Sequence, residues 1–288
     1  MSETRTPAGR ALHAGDAPVL VFDSGVGGVS VARAIRAALP GLPILYYADL
    51  AAFPYGDWDP AALTHHCVGL VRELVATHCP RALVIACNIA STLILPPLRA
   101  VLDIPVVGTV PAIKPAAQLT RSGVVAVLAT PGTVRREYTF DLIERFASEV
   151  AVTLVGSRGL ARLAEERLRG GVVSREALLA EIRPCFVEKA GRRTDVVVLA
   201  CTHYPLLLPE LREVAPWPVT WIDPAPAIAR RLADVLDLVP GGSQAEISGP
   251  AAPERDRILC SNDTDLSHLL ALIGESPETC DAGLARHV

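Results

Sequence analysis

Eight short apolar runs, many of them β-branched, recur along the chain, separated by stretches of Ala, Leu, Arg and Glu with helical period. That beat is the pattern of an α/β protein with mainly parallel sheets, in which helices cover strands that are buried on both faces. The runs predict strands near residues 18–22, 43–47, 82–86, 105–107, 124–128, 151–155, 196–200 and 219–222. Helices are expected near 28–39, 60–78, 91–102, 112–120, 133–147, 159–169, 174–189, 205–214 and 225–237. After about residue 239, "PGGSQAEISGPAAPERDR" reads as a loop, followed by a short strand and a helix.

At 288 residues, half of them hydrophobic, the chain has enough apolar surface for two cores. Prolines mark two candidate crossings, "VVGTVPAIKPAA" near residue 111 and "WIDPAPAIARR" near 224. A chain that crosses at both builds one domain from 18–111 plus 224–288 and a second from 112–223.

The formal net charge of -4 and the scatter of Lys and Arg give no footprint for nucleic acid, so a small molecule is the expected partner. No window is long and apolar enough to span a bilayer, and "MSETRTPAGRALHAGDAP" lacks the apolar stretch of a secretory signal. A cytoplasmic address, with no membrane partner, is expected. Seven cysteines form no C-x-x-C pair and read as reduced thiols, while seven dispersed histidines give no metal-ligand spacing.

Ligands of open parallel sheets bind beyond the carboxyl ends of strands, and four such ends carry polar or reactive residues. They are "FDSGVGG" (22–28), "YADLAAFPYG" (47–56), "ACNIAS" (86–91) and "ACTHYP" (200–205). The glycine turn suits either an anion site or a plain tight turn. Ser30 stands where a dinucleotide-binding turn would have its third glycine, and the Gly-Lys-Ser/Thr ending of a P-loop is absent. "FPYG" offers a tyrosine and a glycine at the tip of a loop.

Cys87 and Cys201 each follow an apolar strand and an alanine, and each precedes a small polar residue and a helical segment. One buried cysteine is ordinarily a small core residue; two at equivalent places suggest a matched pair. A helix N-terminus would lower each thiol from its reference of about 8.5 toward neutrality. Thiols on facing domains could then flank one molecule from opposite sides. A Cys-His hydrolase built on Cys201 and His203 competes with this reading, but it leaves Cys87 unexplained.

From about residue 19 to 235 the chain resembles the glutamate racemases, through "FDSGVGG", "FPYG", "ACNIAST", "PVVGTVPAIKPAA", "LATPGTV" and "ACTHYPLL". The wording of "FPYG" and "PAIKPAA" is most similar to the proteobacterial type. The resemblance implies two pseudo-symmetric three-layer α/β domains with the active site in the cleft between them, and an enzyme that needs no cofactor. It implies that Cys87 and Cys201 are the two acid/base thiols, Cys87 for D-glutamate and Cys201 for L-glutamate. Asp23 would support Cys87, and His203 and Glu165 would support Cys201. Asp23, Ser24, Tyr55, Gly56, Asn88, Ile89, Thr202 and His203 fall at positions that hold the amino acid. The product would be D-glutamate for peptidoglycan. A peptidoglycan-precursor nucleotide activator is a further implied partner, and a homodimer an option.

Two positions depart from the family pattern. Ile89 stands where threonine is usual, and "IDPAPA" replaces a more common Asp-Ser-Gly at 223–225. These departures leave two alternatives open: a related racemase, isomerase or decarboxylase acting on another acid, or a non-catalytic protein that binds an acidic ligand.

Overall fold

The computed structural model describes residues 17–238 and 256–274. Two parallel sheets dominate it. The first contains β1 (Val19–Asp23), β2 (Ile44–Ala48), β3 (Ala82–Ile85), β4 (Val106–Gly108) and β11 (Arg257–Cys260), in the order β11-β2-β1-β3-β4. The second contains β5 (Val124–Ala129), β6 (Ala151–Gly156), β9 (Val196–Ala200) and β10 (Thr220–Ile222), in the order β10-β9-β5-β6. Read from β2 to β4 and from β6 to β10, the two sheets share one strand order, so β3 and β9 are equivalent strands. In each, the first strand lies between its second and third, with the registers Phe22↔Ile85 and Ala129↔Ala200 at the carboxyl ends.

The strand sequences explain the layers. Side chains alternate across a strand, and here both faces are apolar, so each sheet needs helices on both sides. On the first sheet Val19, Val21, Ile44 and Val84 join a core with α1 (Val29–Ala38), α10 (Ala225–Val235) and α11 (His268–Gly274). Leu20, Phe22, Leu45 and Leu83 face the opposite core, with α2 (Pro60–His78) and α3 (Asn88–Val101). On the second sheet Ala126, Leu128 and Leu199 pack with α7 (Leu160–Leu168), α8 (Arg175–Ile182) and α9 (Leu208–Val214). Val125, Val127 and Val198 pack with α4 (Ile113–Leu119) and α6 (Glu137–Phe146). The chain passes from the first pair of cores to the second between β4 and α4, and returns between β10 and α10.

Local signals set the best-defined helix. Asp59 caps α2 by accepting from the N–H groups of Ala61 and Ala62, Pro60 occupies the first turn, and Cys79 ends the helix in the left-handed region at φ 45°. The β11 edge is tied on by Asp256, whose carboxylate pairs with Arg36 at 2.5 Å and accepts from the Ile44 N–H at 2.9 Å.

Four helices differ from their expected spans. The helix expected over 174–189 ends at Ile182, because Pro184 cannot continue it; a 3-10 turn, Arg183–Cys185, follows. A small hairpin then pairs β7 (Glu188–Lys189) with β8 (Arg192–Arg193), turning on Ala190 at φ 50° and Gly191 at φ 73°. The helix expected over 91–102 begins three residues earlier, at Asn88, with Cys87 itself at the N-cap. The span 133–147 divides into α5 (Pro131–Val134) and α6, with Arg136 extended between them. The span 205–214 is a 3-10 turn, Tyr204–Leu207, leading into α9. The strand and helix expected beyond the tail loop are β11 and α11, while the loop itself lies outside the described residues as far as residue 255.

Candidate active site

A cavity of about 630 Å³ opens at the carboxyl ends of both sheets. Its wall includes Ser24, Tyr55, Gly56, Cys87, Asn88 and Ile89 from the first sheet's loops, and Cys201, Thr202 and His203 from the second. Both thiols, drawn from strands that are equivalent in the shared topology, therefore face one space. They are 6% and 7% exposed respectively, enough to touch a ligand while remaining sheltered from bulk water.

Asp23 and Glu165 stand behind this wall. The Asp23 carboxylate, fully buried at the end of β1, accepts from the Gly28 N–H at 2.7 Å through Oδ2, while Oδ1 has no partner among the described residues. Burial pushes this carboxyl up to about 6, against the pull of the His203 charge and of the Gly28 and Ser24 N–H groups. Glu165, on α7, accepts at Oε1 from His203 Nε2 at 2.9 Å and from the Val26 N–H at 3.4 Å. Arg169 donates to its other oxygen at 3.2 Å. Burial works against the Glu165 charge, yet these partners hold the carboxyl below its ordinary value.

His203 lies between a thiol and a carboxylate. Its Nδ1 is 3.9 Å from Cys201 Sγ, and its Nε2 meets Glu165. Burial opposes the charged ring, but the hydrogen bonds to Cys201 and Glu165 and the nearby Asp23 charge outweigh burial and push the imidazole up to about 10. An imidazolium thus faces the Cys201 sulfur at neutral pH. Gly27 permits this approach: a methyl group there would collide with the His203 ring.

The glycine turn resolves into an anion site filled by the protein itself. Two of its N–H groups are taken by the Asp23 and Glu165 carboxylates. The Ser30 hydroxyl lies 3.0 Å from the Gly27 carbonyl and 2.9 Å from the Thr202 carbonyl, tying the turn to the second sheet's loop.

For Cys87, the expected drop in thiol pKa is not found. Burial pushes it well above the ordinary thiol range and the Asp23 carboxylate adds to that, outweighing the Ala90 N–H and Ser24 hydroxyl that favour the thiolate. The neighbouring Cys201 adds to the rise at Cys87. At neutral pH Cys87 is therefore a thiol.

Asn88 is 3% exposed, and neither polar atom of its side chain has a partner among the described residues. Buried amide groups are ordinarily hydrogen-bonded, so an unpaired one on a cavity wall points to a polar ligand. The Tyr55 hydroxyl, by contrast, is committed to Asp49 at 2.6 Å. Ile89 lies between two glycines from different elements: its Cδ1 is 3.3 Å from the position of a Cβ at Gly132 and 3.6 Å from one at Gly56.

Residues of the second sheet's rim were missed by reasoning on strand ends. Arg135, Arg158, Arg162, Ser157 and Glu181 all line the cavity. "LATPGTV" was the one signal leading toward them, since α5 opens inside it.

The sequence profile described as Asp/Glu/Hydantoin racemase matches residues 28–232. A glutamate racemase of Brucella canis is 54% identical over 237 residues, covering 81% of this chain and 86% of the relative. One from Rhizobium meliloti is 54% identical over 235 residues, covering 81% and 85%. The crystal structure of Escherichia coli glutamate racemase with L-glutamate and the activator UDP-MurNAc-ala superposes with a TM-score of 0.77 at 42% identity, covering 88% of this chain and 92% of that one. The chain belongs to the Asp/Glu/hydantoin racemase family and groups with its glutamate racemases.

Proposed function

We propose that the chain interconverts L- and D-glutamate by proton transfer between two cysteines, supplying D-glutamate for peptidoglycan from the cytoplasm. The observation that carries this is the pair of sheltered thiols, Cys87 and Cys201, just beyond the carboxyl ends of equivalent strands around one cavity. Inverting an α-carbon requires removing a proton from one face and delivering another to the opposite face. From L-glutamate, the Cys201 thiolate takes the α-proton and becomes a thiol, leaving its electron pair on the α-carbon. The Cys87 thiol then gives its proton to the other face and becomes a thiolate. The pair holds one proton before and after, and the return reaction uses the same steps reversed.

Surrounding groups fit those roles. The Cys87 thiol is the acid of the L-to-D direction, and the unpartnered Asp23 Oδ1 is a nearby acceptor. The His203 cation, braced by Glu165, offers compensation to the Cys201 sulfur. Ser24, Asn88 and Thr202 are donors for the carboxylates and for the charge that develops as the proton leaves.

The domain division 18–111 plus 224–288 and 112–223 belongs to the same proposal, with the cleft as the seam between moving parts. The E. coli relative was solved with L-glutamate and UDP-MurNAc-ala, and 42% identity to it supports glutamate and a peptidoglycan-precursor nucleotide as ligands here. A homodimer is a separate proposal that analytical ultracentrifugation decides. The comparisons favour neither alternative, a related racemase, isomerase or decarboxylase acting on another acid or a non-catalytic protein that binds an acidic ligand.

Incubation with L-glutamate in deuterated water should bring loss of optical activity with deuterium at the α-carbon. Cys87→Ser and Cys201→Ser should each abolish racemisation. No exchange with L- or D-glutamate, with or without the precursor nucleotide, overturns the proposal.

A further inference from the structure

Five consecutive residues, Phe53 to Asp57, form one wall of the cavity, yet they lie in a segment with little regular structure. Two single-turn 3-10 helices, Leu50–Ala52 and Tyr55–Asp57, hold themselves by local bonds, such as those from the Phe53 and Trp58 N–H groups to the Leu50 and Tyr55 carbonyls. Placement of the wall thus depends on what grips the segment from outside.

The Asp49 carboxylate supplies much of that grip. It is 1% exposed, and a buried carboxylate is costly unless donors surround it. One oxygen, Oδ2, receives the Tyr55 hydroxyl at 2.6 Å and meets His66 Nε2 at 2.6 Å. His66 projects from α2, which packs with α3 against the first sheet, so the bond runs from the rigid helix through Asp49 to the tip of the loop. Trp58 packs its ring against His66 at 5.2 Å between centroids, and its indole N–H donates to the Ala52 carbonyl at 2.9 Å. Asp49 in turn is fixed to the strand that ends in Asp23, since its N–H donates to the Asp23 carbonyl at 2.9 Å.

We infer that Asp49 and His66 are positioning residues: through Tyr55 they hold the Phe53–Asp57 wall at the distance that a bound dicarboxylate needs. The inference rests on the proposed racemase reading. The wall lines the cavity through a loop remote in sequence from both thiols, so loosening it weakens substrate binding equally before and during proton transfer.

His66→Ala should raise KM for both L- and D-glutamate by about tenfold or more, the loss expected of one hydrogen bond to a charged group, while kcat stays within about twofold. His66→Gln, whose amide can still donate to Asp49, should recover most of the KM. Unchanged KM in His66→Ala, even with lowered thermal stability, overturns the inference, as does a fall in kcat at constant KM. Hydrogen–deuterium exchange of residues 50–58 gives a readout independent of turnover: exchange should quicken in His66→Ala and return toward wild type in His66→Gln. If the unaltered protein fails to racemise glutamate, the racemase reading fails, and the exchange experiment alone decides whether Asp49 and His66 hold the wall. Unchanged exchange in His66→Ala then overturns it.

Discussion

Changing Asp23 to asparagine removes a buried charge while nearly preserving the shape of the side chain. Burial raises this carboxyl from 3.8 to about 6, which at roughly 1.36 kcal/mol per pH unit makes the ionised group cost ~3 kcal/mol of stability above pH 6. Because the folded-state value lies above the unfolded one, the penalty is absent below pH 3.8, about half developed at pH 5, and complete by pH 8. Asparagine keeps an acceptor for the Gly28 N–H but places an NH2 group where Oδ1 now lacks a partner, a cost of about 1–2 kcal/mol. The net expectation at pH 8 is a variant about 1–2 kcal/mol more stable than the parent, with racemisation severely reduced. Urea unfolding at pH 5 and pH 8 measures both terms: the asparagine offset is common to the two, while the advantage of the variant should grow by about 1.5 kcal/mol from the lower to the higher pH. A stability difference that stays flat between these values, or shrinks as the pH rises, refutes the account of Asp23 as a strained buried charge.

Glu165→Gln should lower the raised His203 value, read by titrating the imidazole resonances. Because that value is pushed from 6.5 to about 10, the stabilisation from His203 is complete below pH 6.5 and lost as pH rises toward 10, so the variant's stability should depend less on pH across this window. Arg36→Ala leaves the buried Asp256 carboxylate without its pair and should cost about 3–5 kcal/mol in urea unfolding, with KM of the surviving folded protein unchanged. Gly132→Ala should impair glutamate binding by crowding Ile89, and Ile89→Ala in the same chain should relieve it; isothermal titration of the single and double variants gives the coupling.

The strands of the two parallel sheets from β1 to β6, with β9 and β10, were legible because each is a short apolar run, as a parallel sheet buried on both faces requires, whereas the β7–β8 hairpin is Glu-Lys against Arg-Arg and carries no such signal. The repeated strand, alanine, cysteine and polar residue was legible as a pattern, and Cys87, Asn88, Cys201 and Thr202 all line the cavity. What the sequence hid was contact between distant elements. Glu165 and His203 are 38 residues apart and meet only because α7 packs beside the end of β9; Glu165 entered the reading through family resemblance alone. Asp49 and His66 lie 17 residues apart on a strand end and a helix, with no motif joining them. The start of α3 was placed late because its N-cap is Cys87, which lacks the side-chain acceptor that marks most helix starts.

The thiols show why equivalent sequence does not imply equivalent chemistry. A helix N-terminus favours an anion by about 0.3–1 kcal/mol, an effect that pointed toward an activated thiolate at Cys87. Burial beside the Asp23 carboxylate opposes this with several times that energy, because desolvation alone can displace a buried group by as much as about 3–5 pH units. Cys201 has a different companion, the His203 imidazolium braced by Glu165. Duplication therefore supplied two matched positions, and the residues packed behind them made the positions unlike: a carboxylate behind one sulfur, a cation beside the other. For the proposed two-base reaction, burial and the carboxylate behind Cys87 keep that thiol protonated, as the acid of the L-to-D direction must be.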